Sequence, residues 1–393
     1  MSFLDEKYLL GSETGFALFS AIEKLPVIDP HNHADIGEIA SNKKYADPWQ
    51  VFAATDHYVW EMLRKRNVPE RLITGDAAPR DKWVMMGSVF PELAGNPIYE
   101  WIPLDLQRCF RINSLLGPDT AADIWKEATV ALSSSSMKPQ SLLTEMKVEV
   151  MCSTDDPADT LENHDAVNTA MGRVIVRPTW RPDKYLNPLS PAWRGAIEKL
   201  EQRFGKPLNN LTALLEAFEA SHEHFASKGC VSSDHGITRP LSGDASKADA
   251  EAVFKKALDG KALTQAEADA FAGFMLVKCG ELDEKRGWVF QMHIGAVRNI
   301  RDSLFKSIGP DAGGDVSDHL IDIVTPLGRF LNKFDDKLKV VLYCLDAGHQ
   351  ASLAALSRAF GSKVRLGSAW WLNDTPVGMK RQLEFIGSVD LLS

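Results

Sequence analysis

Apolar runs of strand length recur along the chain, each closing on polar or charged residues and each followed by a longer stretch of helix-like sequence. They lie at Pro26 to His33, Val148 to Asp155, Val174 to Trp180, Cys230 to His235, Trp288 to His293, Val340 to Asp346 and Val364 to Trp370. The apolarity is continuous in Val340-Val341-Leu342-Tyr343-Cys344-Leu345, which predicts a parallel strand buried on both faces. This rhythm of β/α units fits a closed parallel barrel or a doubly wound sheet. Two features favour the barrel. No GxGxxG follows the first run, so the dinucleotide-binding open sheet has no support. Nearly every run also ends in reactive side chains: His31 and His33, Asp155 and Asp156, Arg181, Asp234 and His235, His293, Asp346, then Trp370 and Trp371. Such groups gathered at the carboxyl ends of many strands predict an α/β fold of the TIM (β/α)8 barrel type. Seven strands can be counted. The eighth is expected after Leu392-Ser393, where the sequence stops.

The segment between the first two runs is too long for one crossover. It predicts a helical subdomain over 45–145, inserted in a single barrel domain that occupies 1–393, with helices at Trp49 to Arg66, Ala78 to Ser88 and Asp119 to Leu132. Ser133 to Ser136 reads as a loop between helices, and Asp244 to Cys279, rich in Ala, Lys, Glu and Asp, as exposed helices.

Composition narrows the class. With 393 residues, 45% hydrophobic and 25% charged, the chain can bury a core without staples. A formal charge of −9 and the lack of a dense basic run argue against nucleic-acid or anionic-membrane partners. Any anionic substrate must therefore meet locally placed arginines. Cys109, Cys152, Cys230, Cys279 and Cys344 are scattered and odd in number, which suits core thiols in a reducing compartment. Asp5, Glu6 and Lys7 interrupt the position where a signal peptide needs its apolar centre. No apolar stretch approaches the roughly 20 residues of a membrane span. A cytoplasmic location is the expectation.

The first run, Pro26-Val27-Ile28-Asp29-Pro30-His31-Asn32-His33, carries the sharpest chemistry. Pro30 argues against helix. In an extended strand His31 and His33 face the same side, able to grip one ion or one substrate oxygen, or to hydrogen-bond nearby carboxylates. His222 and His224 have the same spacing inside helix-like Leu214 to Ala226, where the rings diverge by roughly 200°.

Further motifs follow in order: Thr55-Asp56-His57-Tyr58-Val59-Trp60-Glu61-Met62-Leu63-Arg64, Gly95-Asn96-Pro97-Ile98-Tyr99-Glu100-Trp101, Thr154-Asp155-Asp156-Pro157, Arg177-Pro178-Thr179-Trp180-Arg181-Pro182-Asp183, Ser233-Asp234-His235-Gly236, Gln291-Met292-His293-Ile294-Gly295-Ala296-Val297-Arg298-Asn299 and Trp370-Trp371-Leu372-Asn373-Asp374. Collinear with the paired histidines, they resemble the uronate (glucuronate) isomerases of the amidohydrolase superfamily of metal-binding TIM barrels. The resemblance covers nearly the whole chain. It implies interconversion of a hexuronate aldose and its keto form, D-glucuronate with D-fructuronate and D-galacturonate with D-tagaturonate, in sugar-acid catabolism.

That reaction needs two acid/base functions and a stabiliser of enediolate charge. The resemblance assigns proton transfer to His57 and Tyr58, although Asp56 as a helix cap with Tyr58 packed behind it explains the same residues. Arg181 and Arg298 are candidates for the substrate carboxylate or for internal salt bridges. Trp371 offers an aromatic wall or core packing. Asp234, His235 and His293 complete the substrate-binding set. His31 and His33 match the superfamily's first-strand metal pair, and His293 sits where a later-strand histidine approaches the same centre, which implies a divalent ion, zinc for preference. The family continues into a final strand whose Thr-Asp-Ser-Arg aspartate completes the metal site or acts as base. Metal-dependent hydrolysis, or sugar-acid binding without catalysis, are the competing readings. Barrels of this kind often form homo-oligomers.

Overall fold

The structure is a computed structural model that describes residues 4–5 and 7–392. Among the described residues nine strands form in chain order: β1 (Val27–Asp29), β2 (Val148–Cys152), β3 (Ile175–Arg177), β4 (Ser232–Ile237), β5 (Val289–Ile294), β6 (Ala296–Val297), β7 (Val316–Ser317), β8 (Lys339–Cys344) and β9 (Val364–Leu366). Each of the seven predicted runs overlaps one of the parallel strands, with β4 and β5 running one or two residues further and β8 starting one residue earlier. β6 and β7 form an unforeseen two-residue antiparallel ladder.

The parallel strands follow one another in the order β1-β2-β3 and β4-β5-β8-β9. Trp180 joins the two groups, bridging Asp155 on one side and Ser233 on the other, both in parallel. Its own ring is wholly buried, with Nε1 donating to Ser221 Oγ at 2.9 Å. Gln291 in the middle of β5 donates to the Pro30 carbonyl just beyond β1 at 3.4 Å, so the two groups of strands also touch across the interior. Parallel pairing through both groups points the carboxyl ends of all seven strands the same way, the arrangement of a TIM-barrel fold.

Helices cover the outside, and their ends follow local chemistry. Ser246 with Asp249, and Thr264 with Glu267, form capping boxes that start Lys247–Leu258 and Gln265–Arg286. The second of these stops at Gly287, whose φ of 69° is a conformation side chains disfavour. The expectation that this region is exposed needs correction. Phe271, Met275, Leu276 and Cys279 are buried against the barrel, and just beyond them the buried carboxylate of Asp283 is held by His222 and Ser233.

Between β1 and β2 the helices bury a core of their own, built on Trp49, Leu63, Trp83, Met86, Phe90, Leu106 and Ile124. A separate cluster, from Trp180 through Phe218, Phe254 and Phe290 to Phe330, fills the space between barrel and outer helices. Asp56 caps helix His57–Lys65, accepting from the amides of Tyr58 and Val59. This cap sets both catalytic candidates at the first turn, where they face the barrel. All five cysteines are free, four of them buried and Cys109 half-buried. Among the described residues no helix is long and apolar enough to cross a membrane.

Candidate active site

His31, Asp234 and His293 meet where β1, β4 and β5 end, each offering a ligand atom within 4.8 Å of the others. His293 Nδ1 lies 2.6 Å from Asp234 Oδ1, and His31 Nδ1 lies 3.9 Å from Asp234 Oδ2. Burial works against the Asp234 carboxylate, but the hydrogen bond to His293, with Arg181 nearby, holds it ionised well below the usual carboxylate range. Burial pushes His31 down to about 3, so the ring is neutral and ready to ligate. His31 Nδ1 is buried and lacks a hydrogen-bond partner among the described residues, and Asp234 Oδ2, although ion-paired with Arg181 at 3.1 Å, is buried without a well-formed hydrogen bond. Buried groups without partners cost free energy, and a divalent ion would relieve both. The donor set thus fits a metal.

His33 stands apart from this group. Its Nδ1 pairs with Thr154 Oγ1 at 2.9 Å, and its ring meets His31 edge-on with centroids 5.0 Å apart. The buried carboxylate beside His31 comes instead from Asp234, a residue the sequence placed in the substrate set. His235 also departs from that set. Next to Asp234 on a strand, it points to the opposite face, stacks on Phe290 at 4.0 Å and pairs through Nε2 with Ser233 Oγ at 2.9 Å.

Arg181 closes the barrel side, its Nε donating to Asp183 at 2.8 Å and its Nη1 standing 3.1 Å from Asp234 Oδ2. The salt-bridge reading of Arg181 is therefore realised beside the His–Asp–His group. Arg298 is similarly paired with Asp315 at 2.8 Å, but it stays partly exposed and its guanidinium lies 4.7 Å from the centre of the Trp371 ring. It faces the mouth.

The second half of the site comes from the helical insertion. Tyr58 donates to Asp374 Oδ1 at 3.1 Å and accepts from the Leu372 amide at 3.0 Å. Leu372 holds a φ of 63°, a strained setting for a branched side chain that aims this amide at the phenol oxygen. Burial, reinforced by Asp374, keeps the Tyr58 phenol protonated well above its ordinary value. His57 lies 3.8 Å from Glu61, whose carboxylate outweighs burial and raises the imidazole above 6.5. Trp371 meets His57 edge-on at 5.2 Å and stacks on Trp370 at 5.6 Å, while Trp370 meets His293 at 4.7 Å. A continuous aromatic contact thus links the His–Asp–His group to His57 and Tyr58.

Sequence reasoning passed over Asp374 and Glu61, although both lie inside quoted motifs. It also passed over Tyr343 and Gln291. Tyr343 stacks flat on His293 at 4.3 Å and donates to Gln291 Oε1 at 3.1 Å. Their signal was a polar atom inside an otherwise apolar strand.

A parallel α/β fold of the TIM-barrel type, with a His–Asp–His group and the candidate pair His57 and Tyr58 at its mouth, is the architecture of a barrel enzyme. The glucuronate isomerase family model matches residues 1–393. A uronate isomerase of Thermotoga maritima is 45% identical over 390 residues, covering 99% of this chain and 86% of that protein. One of Lachnospira eligens is 34% identical over 401 residues, covering 99% and 85%. A crystal structure of uronate isomerase from Thermotoga maritima superposes with a TM-score of 0.97, over 100% of this chain and 86% of that one. Glucuronate isomerase from Caulobacter crescentus, 28% identical, gives 0.90 over 95% and 80%. The chain belongs to the glucuronate isomerase family, whose reaction interconverts an aldose and a ketose.

Proposed function

We propose that this chain interconverts D-glucuronate and D-fructuronate in the cytoplasm, with His57 and Tyr58 moving the protons and D-galacturonate accepted by the same route. The observation that carries this reading is the aromatic bridge, which sets His57 against one side of Trp371 and His293 against Trp370. A sugar acid lying along it reaches both groups at once.

His57, oriented by Glu61, takes the proton from C2 through its Nε2. The electrons of that bond form the C1–C2 double bond of the enediolate. Tyr58 gives its proton to the carbonyl oxygen O1, drawing on Asp374 as the partner that steadies the phenol. The O2 hydroxyl then returns a proton to Tyr58 while C1 recovers one from the His57 imidazolium, so protons and charge balance. Arg298 binds the substrate carboxylate as a charge-assisted pair at the open side. Arg181 keeps Asp234 ionised and closes the barrel side. His31, Asp234 and His293 are the residues to hold a divalent ion, with His33 beside them; bound there, zinc would supply Lewis acidity toward a sugar oxygen. The helical segment 45–145 acts as a subdomain that brings His57 and Tyr58 to the mouth.

The test is direct. Purified protein mixed with D-glucuronate should generate the ketouronate in an NMR time course. In deuterated water the label should enter the accepting carbon to the extent that His57 exchanges its proton with solvent. No turnover of either aldohexuronate would end this reading.

A further inference from the structure

A second cluster of ligating side chains lies at the barrel mouth and shares no residue with the first. His319, Asp346 and His349 each offer a ligand atom, and these atoms lie within 4.8 Å of one another. Asp346 follows β8 and caps the turn Ala347–His349, accepting from the Gly348 amide at 2.6 Å. His319 arrives from the excursion between β5 and β8, two residues beyond β7. Its Nδ1 is 3.4 Å from Asp346 Oδ2, and its ring stacks on His349 with centroids 5.3 Å apart. His349 is only 8% exposed, and its Nε2 is buried without a hydrogen-bond partner among the described residues.

An ordinary surface His–Asp pair would account for His319 and Asp346, but it leaves the buried nitrogen of His349 unexplained. Such a nitrogen carries a cost of about 1–3 kcal/mol unless something meets it. Two ligands about 2.0 Å from a zinc ion at the tetrahedral angle stand roughly 3.3 Å apart, which is the spacing of His319 and Asp346. Glycine at 348 keeps the space open. A Cβ there would sit 2.8 Å from His319 Cε1 and 2.9 Å from Asp346 Oδ1.

We propose that His319, Asp346 and His349 form a second metal site, which takes one divalent first-row transition ion of the zinc class through two imidazoles and a carboxylate. Two nitrogen donors favour such an ion over calcium or magnesium, which prefer oxygen. The ion ties the excursion that follows β5 to the end of β8. That excursion starts with the β6–β7 ladder, beside which Arg298 pairs with Asp315. The site therefore acts by positioning, holding the segment that presents Arg298 to the mouth.

The experiment compares ion content in the full chain, stripped of metal, reloaded with zinc, desalted and measured by mass spectrometry. His319→Gln should retain one ion fewer than the parent, and its combination with Asp234→Asn should lose one more than either alone. Gly348→Ala removes no ligand but crowds the site, and should weaken that ion at least tenfold in a calorimetric zinc titration. His319 is 70% exposed, so His319→Gln should keep the parent's melting profile in the stripped state. Equal ion content in the parent and His319→Gln overturns the proposal. So does a combined variant that loses no more than Asp234→Asn alone, since one site would then serve both. If His319→Gln fails to fold, an unchanged zinc titration in Gly348→Ala overturns it instead.

Discussion

Tyr58 and Asp374 are 316 positions apart in the chain, and the phenol oxygen lies 3.1 Å from the carboxylate. The pair joins the helical insertion to the turn after β9. With the Leu372 amide on the same oxygen, it fixes the direction in which Tyr58 can exchange a proton. Tyr58→Phe should lower kcat by about 100-fold or more with little change in KM, the size expected of a lost general acid. Asp374→Asn should show a similar loss, and the double variant should be scarcely worse than either single one. Additive losses in steady-state kinetics would break the assignment of one shared function.

His57 titrates above 6.5 because Glu61 stabilises its charged form. A base must be neutral to work, so kcat/KM should fall as pH drops through this raised value. Glu61→Gln removes the stabilising charge and should move that acid limb to lower pH. The sign reverses for stability: the imidazolium–carboxylate attraction is fully present below the ordinary histidine value and fades as pH rises through the raised one. A pH–rate profile whose acid limb is the same in parent and variant would detach Glu61 from His57.

The two arginines should separate kinetically. Arg298→Met removes a partly exposed group and should raise KM by about 10- to 100-fold, as for a lost charge-assisted hydrogen bond, with kcat little altered. Arg181→Met should also lower the melting temperature, because Asp234 is completely buried and would lose its nearby cation. Thermal melts beside initial-rate measurements check both.

Ion removal is the fourth test. A chelator should lower the melting temperature of the parent, and Asp234→Asn should abolish the part of that shift owed to His31, Asp234 and His293. An unchanged melt in the parent would count against ion binding there.

His235 is buried, and desolvation pushes it down to about 3 from the ordinary 6.5. The unfolded chain therefore takes up this proton first, and stability is lost progressively as pH falls from 6.5 toward 3. His235→Phe should flatten that part of the stability curve measured by urea titration.

The sequence by itself determined the seven parallel strands, because continuous apolar runs between polar ends are local signals and a strand buried on both faces has few other ways to be written. It also determined the side on which polar groups gather, since the runs close on residues such as His31, Asp234 and His293 that come together where the strands end. Helix starts were equally local: Asp56 caps its own helix whatever else His57 and Tyr58 do. The tertiary structure alone decided which of these groups meet. Adjacent Asp234 and His235 are alike in sequence terms, yet strand alternation turns one to the His–Asp–His group and the other onto Phe290. His33, one alternation from His31, is drawn to Thr154, while Asp234 and His293 arrive from hundreds of positions away. Such pairings depend on where distant backbones are brought by the packing of the whole barrel, a quantity that no single stretch of residues contains.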